Sequence, residues 1–263
     1  MISLLNKREF KIRDWLTIAI PTLGEYRIGD KSNDIESLVS LFTATPSVFM
    51  LELEDMGLDF TQIKDYDFFL RQFYSLFVLP YEVNRQVEAG QLDPDKKMRI
   101  INSNALFPNT NFYEYIIIEK NNKKIICDRN GKLIIDEFIY MQTSSAICEI
   151  FSIKKYKRKP ANDIAKQFIL EREREKALRA RQKKDNEFQN RLDGEIVALV
   201  CHPGFGYNFE TINDLTIYDF NVCVRQIVKK EQYDNYMLGA YAGFGGIKLD
   251  KIGEDKLNWL SWR

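Results

Sequence analysis

The stretch FILEREREKALRARQKKDNEFQNRLDGEI, residues 168–196, constrains the fold more than any other, because it reads as helix yet carries almost no apolar face. Glu171 with Arg174, Glu173 with Lys176, and Glu175 with Arg179 stand three or four residues apart with the acid first, the order that supports a helix in water. Pro160 predicts a break, and Asp163 predicts the start of a long helix reaching past Leu192. A segment of this kind cannot form a core, and it lacks the sustained heptads of a coiled coil. It therefore divides the chain into a module over 1–158, a charged connector helix over 159–193 and an aromatic-rich region over 194–263.

Between Lys154 and Asp193 there are 14 basic against 7 acidic residues, while the whole chain balances 38 basic with 38 acidic residues, so the flanks are net acidic. Two readings of the local surplus compete. One is a phosphate-binding surface built from Lys154, Lys155, Lys157, Arg158 and Lys159 together with Arg179, Arg181, Lys183 and Lys184. The other is a solvated connector whose charges keep it helical. The connector is favoured and nucleic acid disfavoured, since interleaved stacking aromatics are missing and the interspersed glutamates would repel phosphate.

The flanking regions are apolar enough to fold: 45% of the 263 residues are hydrophobic and 13% aromatic. The N-terminus carries Lys7, Arg8, Glu9, Lys11, Arg13 and Asp14, unlike a signal peptide, and no run has the uncharged length of a membrane span. A soluble cytoplasmic protein is expected. Cys127, Cys148, Cys201 and Cys223 show no paired spacing and sit among apolar neighbours, the pattern of small core residues rather than of disulfides or zinc.

The expected fold class is α+β: a mainly helical N-terminal module with a small antiparallel β-meander, the long connector, and a small helical C-terminal domain. Ile35, Leu38, Val39 and Phe42 share one helical face, and Thr45-Pro46 predicts a second helix start that Gly57 closes. A third helix is predicted over 65–78, with Pro80 beyond its end. After Pro108, apolar runs at Tyr115 to Ile118, Ile125 to Cys127 and Leu133 to Ile135 predict the meander, and Asn130-Gly131 is its strongest tight-turn signal. Phe138, Ile139, Ile147, Ile150 and Phe151 return to helical spacing as core. Towards the C-terminus, Thr216 and Asp219 have capping-box spacing before Ile217, Phe220, Val224, Ile227 and Val228. Helices are expected over about 216–230 and 234–241, ended by AGFGG.

No catalytic, cofactor or metal residues are assigned. His202, the single histidine, lies in CHPGFGY, where a turn explains it better than pairing with its chain neighbour Cys201. One histidine also excludes zinc sites that need several. GAYAGFGG follows a helix rather than a strand and lacks the lysine that closes a nucleotide loop. Glu52, Glu54 and Asp55 crowd one helix end without a sign of convergence in a cleft.

Several stretches carry a resemblance: IPTLGEYRIGD, LVSLFTATPSVFMLELEDMGLDFTQIKDYDFFLRQF, NDIAKQFILEREREK and LTIYDFNVCVRQIVKKEQYDNYMLGAYAGFGGIKLDKI. Together they resemble a group of tail- or baseplate-associated proteins of tailed bacteriophages that infect Gram-positive bacteria. DYDFFLRQF is also similar to a short pattern of T4-like baseplate hub assembly proteins. The resemblance implies a non-enzymatic tail or baseplate morphogenesis protein, a structural component or an assembly factor. It implies other tail or baseplate proteins as partners, and a location in the host cytoplasm during assembly or in the virion tail. Tyr236, Tyr241, Phe244, Trp259 and Trp262 are candidate anchors for such a partner, or fill the C-terminal domain's own core.

Overall fold

The computed structural model describes residues 4–27, 31–182, 191–242, 253 and 258–260. It is a mixed fold in which helices pack around two small antiparallel sheets. The chain opens with a hairpin of β1 (Glu9–Arg13) and β2 (Leu16–Ala19). Periodicity two explains it: Leu16 and Ile18 are fully buried, while Thr17 and Ala19 on the other face are only partly covered. The hairpin differs from the mainly helical module expected here, because Phe10 and Ile12 alternate with Glu9, Lys11 and Arg13 in a strand period.

Three helices follow: α1 (Leu23–Arg27), α2 (Ser32–Thr43) and α3 (Met50–Asp55). The stripe Ile35, Leu38, Val39 and Phe42 on α2 is buried as its spacing predicts. Thr45, by contrast, does not cap α3, which begins five residues later, after a turn. Its hydroxyl instead donates to the carbonyl of Tyr156, a partner 111 residues away, so a tertiary bond replaces the local cap. Gly57 does stop the helix, with φ of +73°.

Next, α4 (Asp65–Phe73) runs through a π-helical turn, Tyr74–Val78, into α5 (Leu79–Glu88). The expected stop at Pro80 does not occur. Proline lacks the N–H and clashes with the carbonyl four residues back; the wider π turn just before it lets the helix pass, and Pro80 itself is buried near the start of α5.

The meander forms as predicted from β3 (Tyr115–Lys120), β4 (Lys123–Asp128) and β5 (Ile134–Ile135), in the order β3-β4-β5. Its tight turn lies elsewhere than expected. Asn121 and Asn122 both have positive φ, 53° and 58°, and join β3 to β4, whereas at Asn130-Gly131 only the glycine does. The second connection is wider because Asp128 folds it, its carboxylate accepting from the backbone N–H groups of Lys132 and Leu133 at 2.7 Å each.

Over the sheets lies α6 (Glu137–Ile150), capped by Asp136, whose carboxylate accepts from the Ile139 N–H at 2.9 Å. Ile139, Ile147 and Ile150 are buried, as is Tyr140, but Phe138 faces outwards and is 60% exposed, contrary to its assignment as core. The centre of the molecule is aromatic: Phe42, Phe69, Phe73, Phe77, Phe112 and Tyr140 meet at ring distances such as 4.5 Å for Phe69–Tyr140 and 5.0 Å for Phe42–Phe69.

The remaining helices are α7 (Asp163–Gln182), α8 (Arg191–Val200) and α9 (Ile217–Tyr241). Residues 183–190, which the expected single helix would cross, lie outside the described residues. Thr216 caps α9 by accepting from the Asp219 N–H at 3.0 Å. The Asp219 carboxylate departs from the reciprocal box, accepting from the Thr216 hydroxyl at 2.7 Å and from the Asn6 N–H at 3.2 Å. Where two helices were expected, α9 is one, since no breaker separates Lys230 from Asp234 and the two pair across one turn at 2.6 Å. Ile196 and Leu199 of α8, with Ile217, Tyr218 and Phe220 of α9, join the same buried cluster as Leu16, Phe42 and Ile147. Thr22 bridges Thr216, and Arg27 pairs with Asp193 at 2.6 Å, so α1 meets the starts of α8 and α9.

Candidate partner-binding surfaces

The basic segment 154–159 crosses the first module as a strap between α6 and α7. Two hydroxyls hold its backbone: Thr45 donates to the Tyr156 carbonyl, and Ser47 accepts from the Arg158 N–H at 2.9 Å. Its cations face acids. Lys157 lies 2.7 Å and Lys155 3.9 Å from the Asp65 carboxylate, and Arg158 meets Glu173 at 2.9 Å. The Lys155 ammonium also donates to the Tyr140 hydroxyl at 3.2 Å and lies 5.0 Å from that ring's centre. Burial pushes this ammonium below its usual value, against the opposing pull of Asp65. Lys154 and Lys159 are exposed.

On α7, Arg179 pairs with Glu175 at 3.4 Å and Lys176 with Glu173 at 2.8 Å, as the spacing predicts. Arg174 turns instead to Asp55 at 3.2 Å, and Lys166 to Asp59 at 3.1 Å and Glu54 at 3.4 Å. Glu54 and Asp55 at the end of α3 are thus docking partners for α7. Among the described side chains of α7 Leu170 is the buried one, inserted into a satellite cluster with Met50, Leu53, Phe60 and Phe68. The side chain of Arg181, and Lys183 and Lys184 altogether, lie outside the described residues.

Beneath the strap is an open cleft of about 650 Å³ between the Thr45–Ser47 turn, the start of α4 and α6. Lys64, Lys155, Lys157, Arg158 and Lys159 line it, against the carboxylates Asp65 and Glu137. Met141, 60% exposed, stands on its wall and on the walls of two further clefts. One, of about 730 Å³, shares Lys64, Tyr66 and Glu137 with the first and runs towards Lys123 and Lys124 of β4. The other, of about 450 Å³, passes between Phe10 and Ile12 of β1 and Phe138 of α6. The three form a furrow along α6. Sequence periodicity pointed away from it, because Phe138 falls on a helical pattern that also runs through the core residues of α6.

The described aromatic candidates, Tyr236, Tyr241 and Trp259, lie apart from this furrow. Tyr236 is half-buried on α9, and Tyr241, at the end of that helix, is 80% exposed. Trp259 is half-buried: its carbonyl accepts from the Gln226 side chain, and the Lys230 ammonium lies 5.4 Å from its ring centre. Phe244 and Trp262 lie outside the described residues. His202 occupies a turn, its Nε2 3.7 Å from the Glu231 carboxylate, and the adjacent Cys201 is exposed rather than a core residue. Cys127 is buried, and burial pushes its thiol and those of Cys148 and Cys223 up.

Residues 182–261 match the family model described as the YomV second domain. That family is of Bacillus phage type. The match takes in α8, α9 and the Trp259 contact with α9, and it stops short of the furrow and of the strap. No curated protein and no solved structure matches the chain. No helix among the described residues is long and apolar enough to cross a membrane.

Proposed function

We propose that this protein is a phage tail or baseplate morphogenesis protein that works through protein contacts rather than catalysis. The YomV-like segment at 182–261 carries the reading, since it suggests a phage-associated protein. The tail or baseplate role is the finer step, taken from the wider sequence resemblance. The architecture suits it: an aromatic core holds the N-terminal helices and sheets rigid, while a charged helix and an aromatic-bearing α9 offer separate faces to neighbours. A phosphate-binding role is less well served, because Lys155, Lys157, Arg158 and Arg179 face carboxylates of this same chain.

The test is deletion of the coding sequence from an inducible phage, followed by electron microscopy of the particles and complementation with the full chain. Tailless or baseplate-defective particles, restored by complementation, are the expected result. Normal tails in the deletion, or a phenotype confined to genome replication, would overturn the proposal. Affinity capture of a tagged copy adds a second readout: tail proteins should be recovered after both nuclease and moderate salt.

A further inference from the structure

We infer that the furrow along α6 is a docking groove for an extended polypeptide segment of a partner, acidic at one end and apolar at the other. This rests on the proposed assembly role for the kind of partner, but its geometry stands independently. Small-ligand pockets measure about 300–1,000 Å³. Each of the three clefts, at about 650, 730 and 450 Å³, could take one such ligand, and their sharing of Met141 makes a path that suits a chain of several residues.

Charge sets the polarity. In the cleft under the strap, five cations meet two carboxylates, and Lys155 and Lys157 share one of these, Asp65. Arg158 turns to Glu173 outside the cleft, while Lys64 and Lys159 are exposed and form no ion pair among the described residues. This end is a receptor for carboxylates. At the other end Phe138 and Met141, each 60% exposed, flank half-buried Phe10 and Ile12, and the charges there, Lys11 and Glu149, balance. Adaptable methionine and a rigid aromatic ring are suited to gripping apolar side chains of a partner. Backbone groups of an extended segment would find the hydroxyls of Ser145 and Thr61 along the walls.

The test uses the full chain and a random dodecapeptide display library, with selected peptides measured by fluorescence anisotropy. Selected peptides are expected to combine acidic residues with large apolar ones. Their affinity should fall about tenfold or more for Met141→Asp, and similarly for Lys64→Glu with Lys159→Glu, with thermal melting unchanged. All three positions are exposed, and a control change at Glu210, outside the furrow, should leave binding intact. Failure to enrich any peptide, enrichment of basic peptides, or binding indifferent to these variants would overturn the groove. So would tighter binding of a short single-stranded DNA than of any selected peptide. Peptide binding by a chain whose deletion leaves tails normal would retain the groove and sink the morphogenesis role. Defective tails in the deletion, with no peptide bound, would do the reverse.

Discussion

Helices α6 and α7 sit on the same module, yet opposite forces hold them. Of α6's 14 residues, Ile139, Tyr140, Thr143, Ser144, Ala146, Ile147 and Ile150 are buried, and its contacts reach α2, β1, β5 and α9. Among the described side chains of α7 Leu170 is buried, Ile169 packs half-buried against the same cluster, and the ion pairs reach the strap, the end of α3 and Asp59. Apolar burial and close packing stabilise a buried position by several kcal/mol, whereas an exposed ion pair contributes roughly 0–1 kcal/mol. Thus α6 is part of the folding unit, whereas α7 is a helix that the module holds by Leu170, its neighbour Ile169 and a few charges.

The comparison can be broken most severely at its buried end. Phe69→Ala, which removes a ring stacked on Tyr140 and tilted against Phe42, is expected to cost about 3–5 kcal/mol, read as a drop in the denaturant midpoint with the slope unchanged. A loss below about 1 kcal/mol would mean that the aromatic cluster does not govern the fold. Leu170→Ala should cost roughly 2–3 kcal/mol locally, appearing as faster hydrogen exchange along α7 while the main transition stays in place. A matching fall in the main transition would instead make α7 part of the same cooperative unit as α6.

Smaller effects sharpen the contrast. Thr216→Ala removes the cap of α9 and its hydroxyl's bond to Asp219, with an expected cost of about 1 kcal/mol by thermal denaturation. Arg158→Gln should cost roughly 0.2–1 kcal/mol and diminish with added salt in the wild-type comparison. The pH dependence has a definite sign. Lys176 first, and then Arg158, hold the Glu173 carboxyl below its usual value despite partial desolvation. Its contribution is therefore present above the ordinary glutamate range and lost as pH falls through the lowered folded value. Protection factors in α7, with exchange corrected for its intrinsic pH dependence, should fall on acidification through that window in the wild type, and less so in Glu173→Gln.

Several elements were legible from residue order alone. The face of α2, the glycine stop at Gly57, the strands of the meander, Asp65 at the start of α4 and Thr216 at the start of α9 all follow from nearest-neighbour sterics and hydrogen bonding. The pairs Glu173–Lys176 and Glu175–Arg179 were equally readable, because helix geometry alone brings them together. The candidate sites were less so. The basic residues at 154–159 were recognisable as a cluster, but their acidic partners Asp65 and Glu173 lie 90 residues upstream and on the following helix.

What the sequence by itself determined is a set of local choices: the strands of the meander, the starts of α4, α7 and α9, and which stretch is too charged to be a core. Tertiary structure alone decided that Thr45 anchors the strap instead of capping α3, that the helix passes Pro80, and that Asp219 reaches back to Asn6. It also decided that Phe138 and Met141 face an open furrow while their neighbours Ile139 and Tyr140 are buried. The physical reason is range. Backbone preference and side-chain periodicity act over a few residues, whereas a hydroxyl's partner, a proline's tolerance and the exposed side of an apolar helix depend on surfaces brought together from distant parts of the chain.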